Sequence, residues 1–111
     1  MNIEEKKFLA EWMGYHIEEE EGFWPNVSEV LRDSKGNRVC DFSNWNPDQD
    51  LEQFNSLIRA FPFRDYCKLE KKFPNMYYMD PIESFVFMNK MKLNFCKAIL
   101  QVLGYKGVDN G

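Results

Sequence analysis

Residues 27–42 read VSEVLRDSKGNRVCDF, and this stretch carries the clearest folding signal in the chain. Its centre, residues 33–37, is polar and contains Gly36 and Asn37, two residue types that tolerate the positive φ of a tight turn. Hydrophobic residues lie on both sides of that centre: Val27, Val30, Leu31, Val39 and Phe42. The stretch therefore predicts a β-hairpin, with two antiparallel strands joined at the polar turn.

An acidic run precedes the hairpin and consists of Glu18, Glu19, Glu20 and Glu21. Adjacent carboxylates repel one another, and they cannot be buried without partners. The acidic run is therefore predicted to be a solvated loop or an edge of the sheet.

A helix is predicted on the N-terminal side, over residues 2–13. Phe8, Leu9, Trp12 and Met13 repeat at helical spacing behind an acidic first turn, which suits the positive end of a helix dipole. Gly14 then supplies the residue type that most often ends a helix.

A second helix follows the hairpin, and the sequence leaves two starting points open for it. Asn46 can cap the helix with Pro47 at the first helical position, or Asp50 can cap it with Gln53 closing a capping box. Pro62 ends the helix, since the residue before a proline is driven out of helical conformation. Its apolar side consists of Leu51, Phe54, Leu57, Ile58 and Phe61.

Residues 63–88 predict a second hairpin with a long tip, because residues 66–71 alternate and residues 84–88 are aromatic and β-branched. Between these strands lies an aromatic segment, residues 76–81, which reads MYYMDP. The segment either packs within its own domain or stands out as a partner surface. Tyrosine and methionine are favoured at protein interfaces, and the candidate binding residues are Met76, Tyr77, Tyr78 and Met79.

A last helix is predicted to start at Asn89 as its cap and to end at Gly104. The element order is then α-ββ-α-ββ-α. This is an α+β fold in which three helices pack with an antiparallel sheet of about four strands, as a layered sandwich. Residues 1–106 are predicted to form a single α+β domain, and residues 107–111 a short flexible tail.

The composition limits the class of protein. The chain has 111 residues, of which 44 % are hydrophobic and 16 % aromatic, enough apolar surface to fold as one ordered core. The formal net charge is −4 and basic residues are scattered, so direct binding to nucleic acid is disfavoured. Three unpaired cysteine positions fit reduced thiols, and no apolar run approaches the roughly 20 residues that span a bilayer. We therefore expect a cytoplasmic protein without membrane contact.

Catalytic chemistry is not indicated by any motif. Nucleophilic catalysis needs a serine or cysteine beside a histidine and an orienting acid, but the chain has one histidine, His16, and no nucleophile elbow. Potential metal ligands are dispersed, and the glycines do not form a phosphate-binding loop. We expect no enzyme, no metal and no cofactor; an enzyme that uses His16 with a nearby carboxylate is the least favoured alternative.

Two tryptophans allow two interpretations. Trp24 and Trp45 either frame an aromatic pocket for a small molecule such as a nucleotide, or anchor the starts of two elements on the core. In the first interpretation, Arg32, Lys35 and Arg38 near the hairpin turn would converge on the phosphates.

Several short motifs together form a family pattern: Met13-Gly14-Tyr15, Trp24-Pro25, Trp45-Asn46-Pro47 with Asp50, and the closing helix over residues 93–103 with Cys96, Ala98 and Leu100. The pattern resembles the phage ABA sandwich family of small phage and prophage proteins. The resemblance implies a compact layered α/β sandwich in a family whose activity is largely uncharacterised, and it transfers no catalytic residues. The aromatic segment is longer and more aromatic than the simple turn expected there, so a function specific to this chain would lie in it.

The favoured functional hypothesis is a noncatalytic phage or prophage interaction protein in the cytoplasm of a bacterial host. It would bind a host or phage protein through the aromatic segment and act as an inhibitor of a host defence effector such as a CRISPR nuclease. The acidic run would occupy a basic channel in place of phosphates. A homodimer is left open, and the alternative function is a small-molecule or nucleotide-sequestering protein.

Overall fold

The structure, a computed structural model, describes residues 1–21 and 27–107, with only the backbone of Glu21 and Val27. Within these residues the fold is α+β, with five α-helices and one three-stranded antiparallel sheet. In chain order the elements are α1 (Ile3–Trp12), β1 (His16–Glu21), β2 (Val27–Arg32), β3 (Arg38–Asp41), α2 (Leu51–Ala60), α3 (Phe63–Glu70), α4 (Pro81–Lys90) and α5 (Lys92–Val102). Short 3₁₀ helices occupy Phe42–Asn44 and Pro74–Tyr78.

The chain divides into two compact units. The sheet unit is Asn2–Asn46 and contains α1 and the three strands; the helical unit is Pro47–Gly111 together with Met1 and contains α2 to α5. The single domain over residues 1–106 and its layered arrangement stay predictions, and the predicted tail at 107–111 falls almost entirely on residues 108–111, which lie outside the described part.

The helix predicted over residues 2–13 is confirmed as α1. The Asn2 side chain accepts a hydrogen bond from the Glu5 backbone while the Glu5 side chain accepts one from the Asn2 backbone, which is a complete capping box. At the other end Gly14 has φ of 89°, and the Tyr15 amide donates to the Ala10 carbonyl. Local chemistry alone therefore sets both ends of α1.

The predicted hairpin is confirmed as β2 and β3. Asp33 Oδ1 accepts hydrogen bonds from the amides of Lys35 and Asn37, both at 2.9 Å, and Gly36 supplies a positive φ of 87°. Those hydrogen bonds, the one from Asn37 foremost, lower the pKa of the Asp33 carboxyl. Strand β1 pairs with the other side of β2, so the acidic run lies on an edge strand of the sheet. Of the two predictions for this run, a loop or a sheet edge, the edge is confirmed.

The start of α2 is settled in favour of Asp50, whose side chain accepts from the Gln53 amide at 2.9 Å. The helix ends at Ala60, just before Phe61 and Pro62, as predicted. The Asn46 and Pro47 start is not used.

The prediction of a second hairpin is wrong. Residues 63–70 form α3, and residues 81–90 form α4, so the sheet has three strands where about four were predicted, and there are five helices where three were predicted. The alternation at residues 66–71 resembles a strand, but it fits a helix as well. Tyr66, which is half-buried, and Leu69, which is buried, are three residues apart and therefore lie on the same side of α3. The overlooked signal is Asp80-Pro81 with Glu83: Asp80 Oδ1 accepts from the Glu83 amide at 2.7 Å, with proline at the first helical position.

The predicted start of the last helix at Asn89 is also wrong. Asn89 lies inside α4, and α5 begins at Lys92 after a break at Met91. The predicted end is confirmed, since Gly104 has φ of 83° and the Tyr105 amide donates to the Leu100 carbonyl at 2.9 Å.

Each unit contributes buried hydrophobic side chains. In the sheet unit they are Leu9, Ala10, Val30, Leu31, Phe42 and Trp45. In the helical unit they are Phe54, Leu57, Phe61, Leu69, Phe95, Cys96, Ala98, Ile99 and Leu100. Five of the latter belong to α5, which makes α5 the central helix of its unit.

Candidate functional site

The aromatic segment is largely exposed. Tyr77 and Tyr78 expose 61 % and 91 % of their surface, while Met76 and Met79 are half-buried. The segment comprises the end of a 3₁₀ helix and the cap of α4, so its backbone is ordered although its rings face solvent. Of the two interpretations of this segment, the structure favours the outward one for the tyrosines.

The exposed apolar surface continues along α4. Ile82, Phe85 and Val86 are spaced as neighbours on one helix face and all three are exposed, Ile82 to 77 %. Phe63, at the start of α3, is exposed to 82 % and lines the same cavity as Phe85. We call Phe63, Ile82, Phe85 and Val86 the apolar face. No residue of α4 is fully buried, so this helix puts much of its apolar surface into solvent.

A cavity of about 360 Å³ opens beside the apolar face in the helical unit. Three helices line it. Helix α2 and the residue after its end supply Phe54, Ile58 and Phe61, α3 supplies Phe63, and α4 supplies Phe85 and Met88. Within one helix these side chains are three or four residues apart, so they lie on the side of the helix that faces the cavity.

Three polar side chains complete the cavity wall: Asn55, Tyr66 and Asn89. The Tyr66 hydroxyl lies 3.8 Å from the Met88 sulfur, and burial, followed by the nearby Glu70 carboxylate, raises the pKa of Tyr66. The Asn89 Oδ1 is buried and has no hydrogen-bond partner among the described residues. A buried acceptor without a donor is rare in folded proteins, so Asn89 is the unusual group of this wall.

An aromatic cluster fixes the inner wall of the cavity. Phe54 contacts Phe95 edge to face at a centroid distance of 6.3 Å, and Phe95 stacks on Phe73 at 4.0 Å. Phe87 contacts both Phe73 and Phe95 edge to face. The wall therefore rests on rings that hold one another in place.

Two carboxylates of the acidic run, Glu18 and Glu20, are paired with the basic residues near the hairpin turn. Arg32 Nε lies 2.7 Å from Glu18 Oε2, and Glu20 Oε2 lies 3.6 Å from Arg32 Nη2 and 3.7 Å from Arg38 Nε. His16 Nε2 lies 2.9 Å from Glu18 Oε1, and this contact, followed by that with Arg32, lowers the pKa of Glu18. Acids and arginines thus neutralise each other, which leaves less charge for a basic channel or for phosphates.

The remaining acids of β1 differ in environment. Glu19 lies directly opposite Glu29 across the strand pair, an arrangement that is destabilising for like charges. The side chain of Glu21 lies outside the described part of the structure. His16 and its partner Glu18 are both about half exposed on an edge strand, so the pair is part of a solvated ion-pair network.

Trp45 is buried, with 2 % of its surface exposed, and it contacts Tyr15 edge to face at 6.2 Å. This is the packing that the anchoring interpretation requires. Trp24 and Pro25 lie outside the described residues, so the pocket proposed from Trp24 and Trp45 stays a prediction.

A second, more polar hollow of about 550 Å³ lies in the sheet unit and is lined by Lys6, Ser28, Glu29, Asp41 and Phe42 among others. Lys6 Nζ donates to the Phe42 carbonyl at 3.1 Å and to Asn46 Oδ1 at 3.2 Å, and it lies over the Phe42 ring. The cation of this hollow is therefore already coordinated by its own chain.

The three cysteines are free thiols in different environments. Cys67 on α3 is exposed, Cys40 is half-buried, and burial raises the pKa of the Cys96 thiol. Across residues 1–21 and 27–107, no group of three or more His, Cys, Asp or Glu side chains could hold a metal ion. Within the same residues, no helix is long and apolar enough to cross a membrane.

Sequence reasoning found the exposed tyrosines but missed the cavity and the apolar face. Both depend on α3 and α4, for which the sequence pattern predicts strands. The helix start at Asp80-Pro81 places Ile82, Phe85 and Asn89 on one side of α4. No family model, no curated protein and no solved structure matches the chain.

Proposed function

We propose that this chain is a noncatalytic interaction protein that binds another protein through the apolar face and the adjoining Tyr77 and Tyr78. The observation that carries the proposal is the exposure of large apolar side chains on consecutive turns of α4. Soluble monomers rarely leave such side chains together in water, and clustered exposed apolar residues mark interaction sites.

The residue types support the same proposal. Tyrosine and phenylalanine supply a large contact area with few rotatable bonds, and they dominate the energetic centres of interfaces. Lys90 at the end of α4 and Glu83 in its first turn supply charges beside the apolar face. An apolar centre with polar residues around it is the usual anatomy of a protein-binding surface.

The acidic run contributes less to this proposal than the sequence suggested. Two of its carboxylates, Glu18 and Glu20, already have arginine partners in the same sheet. Partner binding through Glu18 to Glu21 remains part of the hypothesis, but it would first have to displace these ion pairs.

The test is capture of a partner by tagged protein with three variants: Tyr77→Ala/Tyr78→Ala, Ile82→Ser/Phe85→Ser and, as matched control, Ile3→Ser. Ile3 is a similarly exposed hydrophobic residue in the sheet unit. A partner held by the wild type and Ile3→Ser but weakened at least about tenfold by the other two supports the proposal. A partner held equally by all four proteins contradicts it.

A second copy of the chain is another partner to be tested for the apolar face. Sedimentation equilibrium of the wild type and of Ile82→Ser/Phe85→Ser distinguishes this case. A dimer that becomes a monomer in the variant identifies the partner as the chain itself; a monomeric wild type leaves the face for a different protein.

On the resemblance to phage ABA sandwich proteins, we extend the proposal to an inhibitor of a host defence effector, such as a CRISPR nuclease, in a bacterial cytoplasm. The test is plaque formation by a targeted phage on cells that express the protein. Plaques restored by the wild type but not by Tyr77→Ala/Tyr78→Ala support the extension. Unchanged immunity contradicts it, while the protein-binding proposal is judged by the capture experiment.

A further inference from the structure

The cavity between α2, α3 and α4 has the dimensions of a ligand site. Its volume of about 360 Å³ lies within the usual range of small-molecule pockets, roughly 300–1,000 Å³. By comparison, an apolar cavity of about 150 Å³ is enough to hold a benzene ring. The space therefore accommodates a ring system of one or two fused rings with small substituents.

The side chains that line the cavity indicate which chemical class of molecule fits it. Phenylalanine rings from three helices and from the residue after α2 line the space, and none of its lining residues carries a charge. Aromatic walls favour aromatic ligands, which gain from edge-to-face and offset stacking. A nucleotide phosphate would find no cation in this wall, so the ligand that fits is uncharged.

One polar group selects among uncharged aromatic molecules. Asn89 Oδ1 is buried and accepts no hydrogen bond from the described residues, although Asn89 lines the cavity. No hydrogen bond among the described residues satisfies this oxygen, whereas a bound molecule with a donor group would satisfy it.

The site is organised in advance of binding. Phe54 on the inner wall packs against Phe95, which is fully buried and stacks on Phe73. A wall that does not need to be ordered on binding loses less entropy when the ligand enters.

From these observations we infer that the cavity binds a small, uncharged aromatic molecule carrying one hydrogen-bond donor, which donates to Asn89 Oδ1. The site goes beyond the proposed protein-binding function. It shares Phe63 and Phe85 with the apolar face, so an occupied cavity and a bound protein partner would contact some of the same side chains.

The test compares two probes, indole and 1-methylindole, by titration of the folded protein followed by amide and methyl NMR. The two probes have the same ring system, but only indole has an N–H donor. We expect indole to shift signals of Ile58 and Asn89, and 1-methylindole to bind at least tenfold more weakly. Equal affinity of the two probes, or no binding of indole at millimolar concentration, overturns the inference.

Two variants locate the site. Asn89→Leu removes the acceptor and is expected to make the affinities for indole and 1-methylindole equal, while Ile58→Trp fills the cavity and is expected to abolish binding of both. A tenfold preference for indole that persists in Asn89→Leu overturns the assignment of the acceptor. Should Ile58→Trp fail to fold, the comparison of the probes on the wild type and on Asn89→Leu decides the question.

A last control separates this site from the proposed protein-binding surface. Tyr77 and Tyr78 do not line the cavity, so Tyr77→Ala/Tyr78→Ala is expected to bind indole as the wild type does. Loss of indole binding in this variant, with its fold intact, would contradict the assigned location. Loss of the protein partner without loss of indole would show two separate functions.

Discussion

The acidic strand β1 and the apolar face are the two most unusual surfaces of this chain, and they differ in one respect. Two acids of β1, Glu18 and Glu20, have partners within the sheet unit, where Arg32 and Arg38 lie beside them. The apolar face has no such compensation, since Ile82 and Phe63 expose most of their surface. Covering a surface whose charges are already paired within the chain stabilises a complex little, whereas covering an exposed apolar surface lowers the free energy of the complex.

The same contrast holds within the helical unit, between α4 and α5. The two helices are nearly equal in length and follow one another along the chain, yet α5 has five buried residues and α4 has none. The buried packing of this unit therefore involves α5 most, while α4 contributes Phe87 to the aromatic cluster and leaves Ile82, Phe85 and Val86 exposed. Substitutions in both helices test this division.

Phe95→Ala is expected to lower the free energy of unfolding by about 3–5 kcal/mol, because it removes a fully buried ring at the centre of the aromatic cluster. Phe85→Ala, the matched substitution on α4, is expected to cost less than about 1 kcal/mol because half of that side chain is already in water. Urea denaturation measures both. Equal losses would mean that α4 belongs to the core and that its apolar face is not available for a partner.

Asp80→Ala is expected to lower the free energy of unfolding by about 1 kcal/mol, since it removes the side chain that caps α4. Amide hydrogen exchange should show the loss of protection concentrated in the first turns of α4. Asp80→Asn is the control, because asparagine caps as well as aspartate does. Loss of protection spread equally over α5 would contradict the division of roles between the two helices.

Glu29→Lys is expected to raise the free energy of unfolding by about 0.5 kcal/mol. The change turns the like-charge pair of Glu19 and Glu29 across β1 and β2 into an opposite-charge pair. Thermal denaturation at low and high salt measures the gain, which should shrink as salt screens the pair. Glu29→Gln is the control and should recover only part of the gain; an unstable Glu29→Lys would show that the acids of β1 are not the strained part of the sheet.

The smallest effect concerns the acid titration of Glu18. Its pKa is lowered in the folded protein by His16 first and by Arg32 in addition, so this carboxylate contributes stability at pH values above its unfolded pKa. That contribution is lost as the pH falls through the lowered pKa. We expect His16→Ala and Arg32→Ala each to raise the pKa of Glu18, as followed by carboxyl NMR; a variant that leaves the pKa unchanged would show that the residue it removes is not a cause.

The sequence predicted α1, the hairpin of β2 and β3, and α2, whose ends carry their own chemistry, but α4 was missed although Asp80-Pro81 gives it such a start. The capping box at Asn2, the Asp50 cap and the turn at Asp33 and Gly36 act over four or five residues, so they are readable without knowledge of the fold. Residues 63–70 lack such a start, since Pro62 caps α3 without a side-chain hydrogen bond. Their type had to be inferred from periodicity, which is ambiguous over eight residues.

The candidate site was predictable only in part. The two tyrosines attract attention because they interrupt a region where a polar loop was expected. The cavity brings together Phe54, Phe63 and Asn89 from three helices, and their proximity depends on helix packing that no local motif encodes. For the same reason, the pairing of Glu18 with Arg32 became visible only once the register of β1 and β2 was known.

Cys67 offers a practical route to these questions. Its thiol is exposed on α3, directly after Tyr66 of the cavity wall, whereas Cys96 is buried and its raised pKa keeps it protonated and slow to react. A maleimide dye added in substoichiometric amount should therefore label the wild-type chain first at Cys67, with Cys40→Ser as the background for complete labelling. The protein thus carries a natural attachment point from which the emission of one fluorophore can report events at its helical surface.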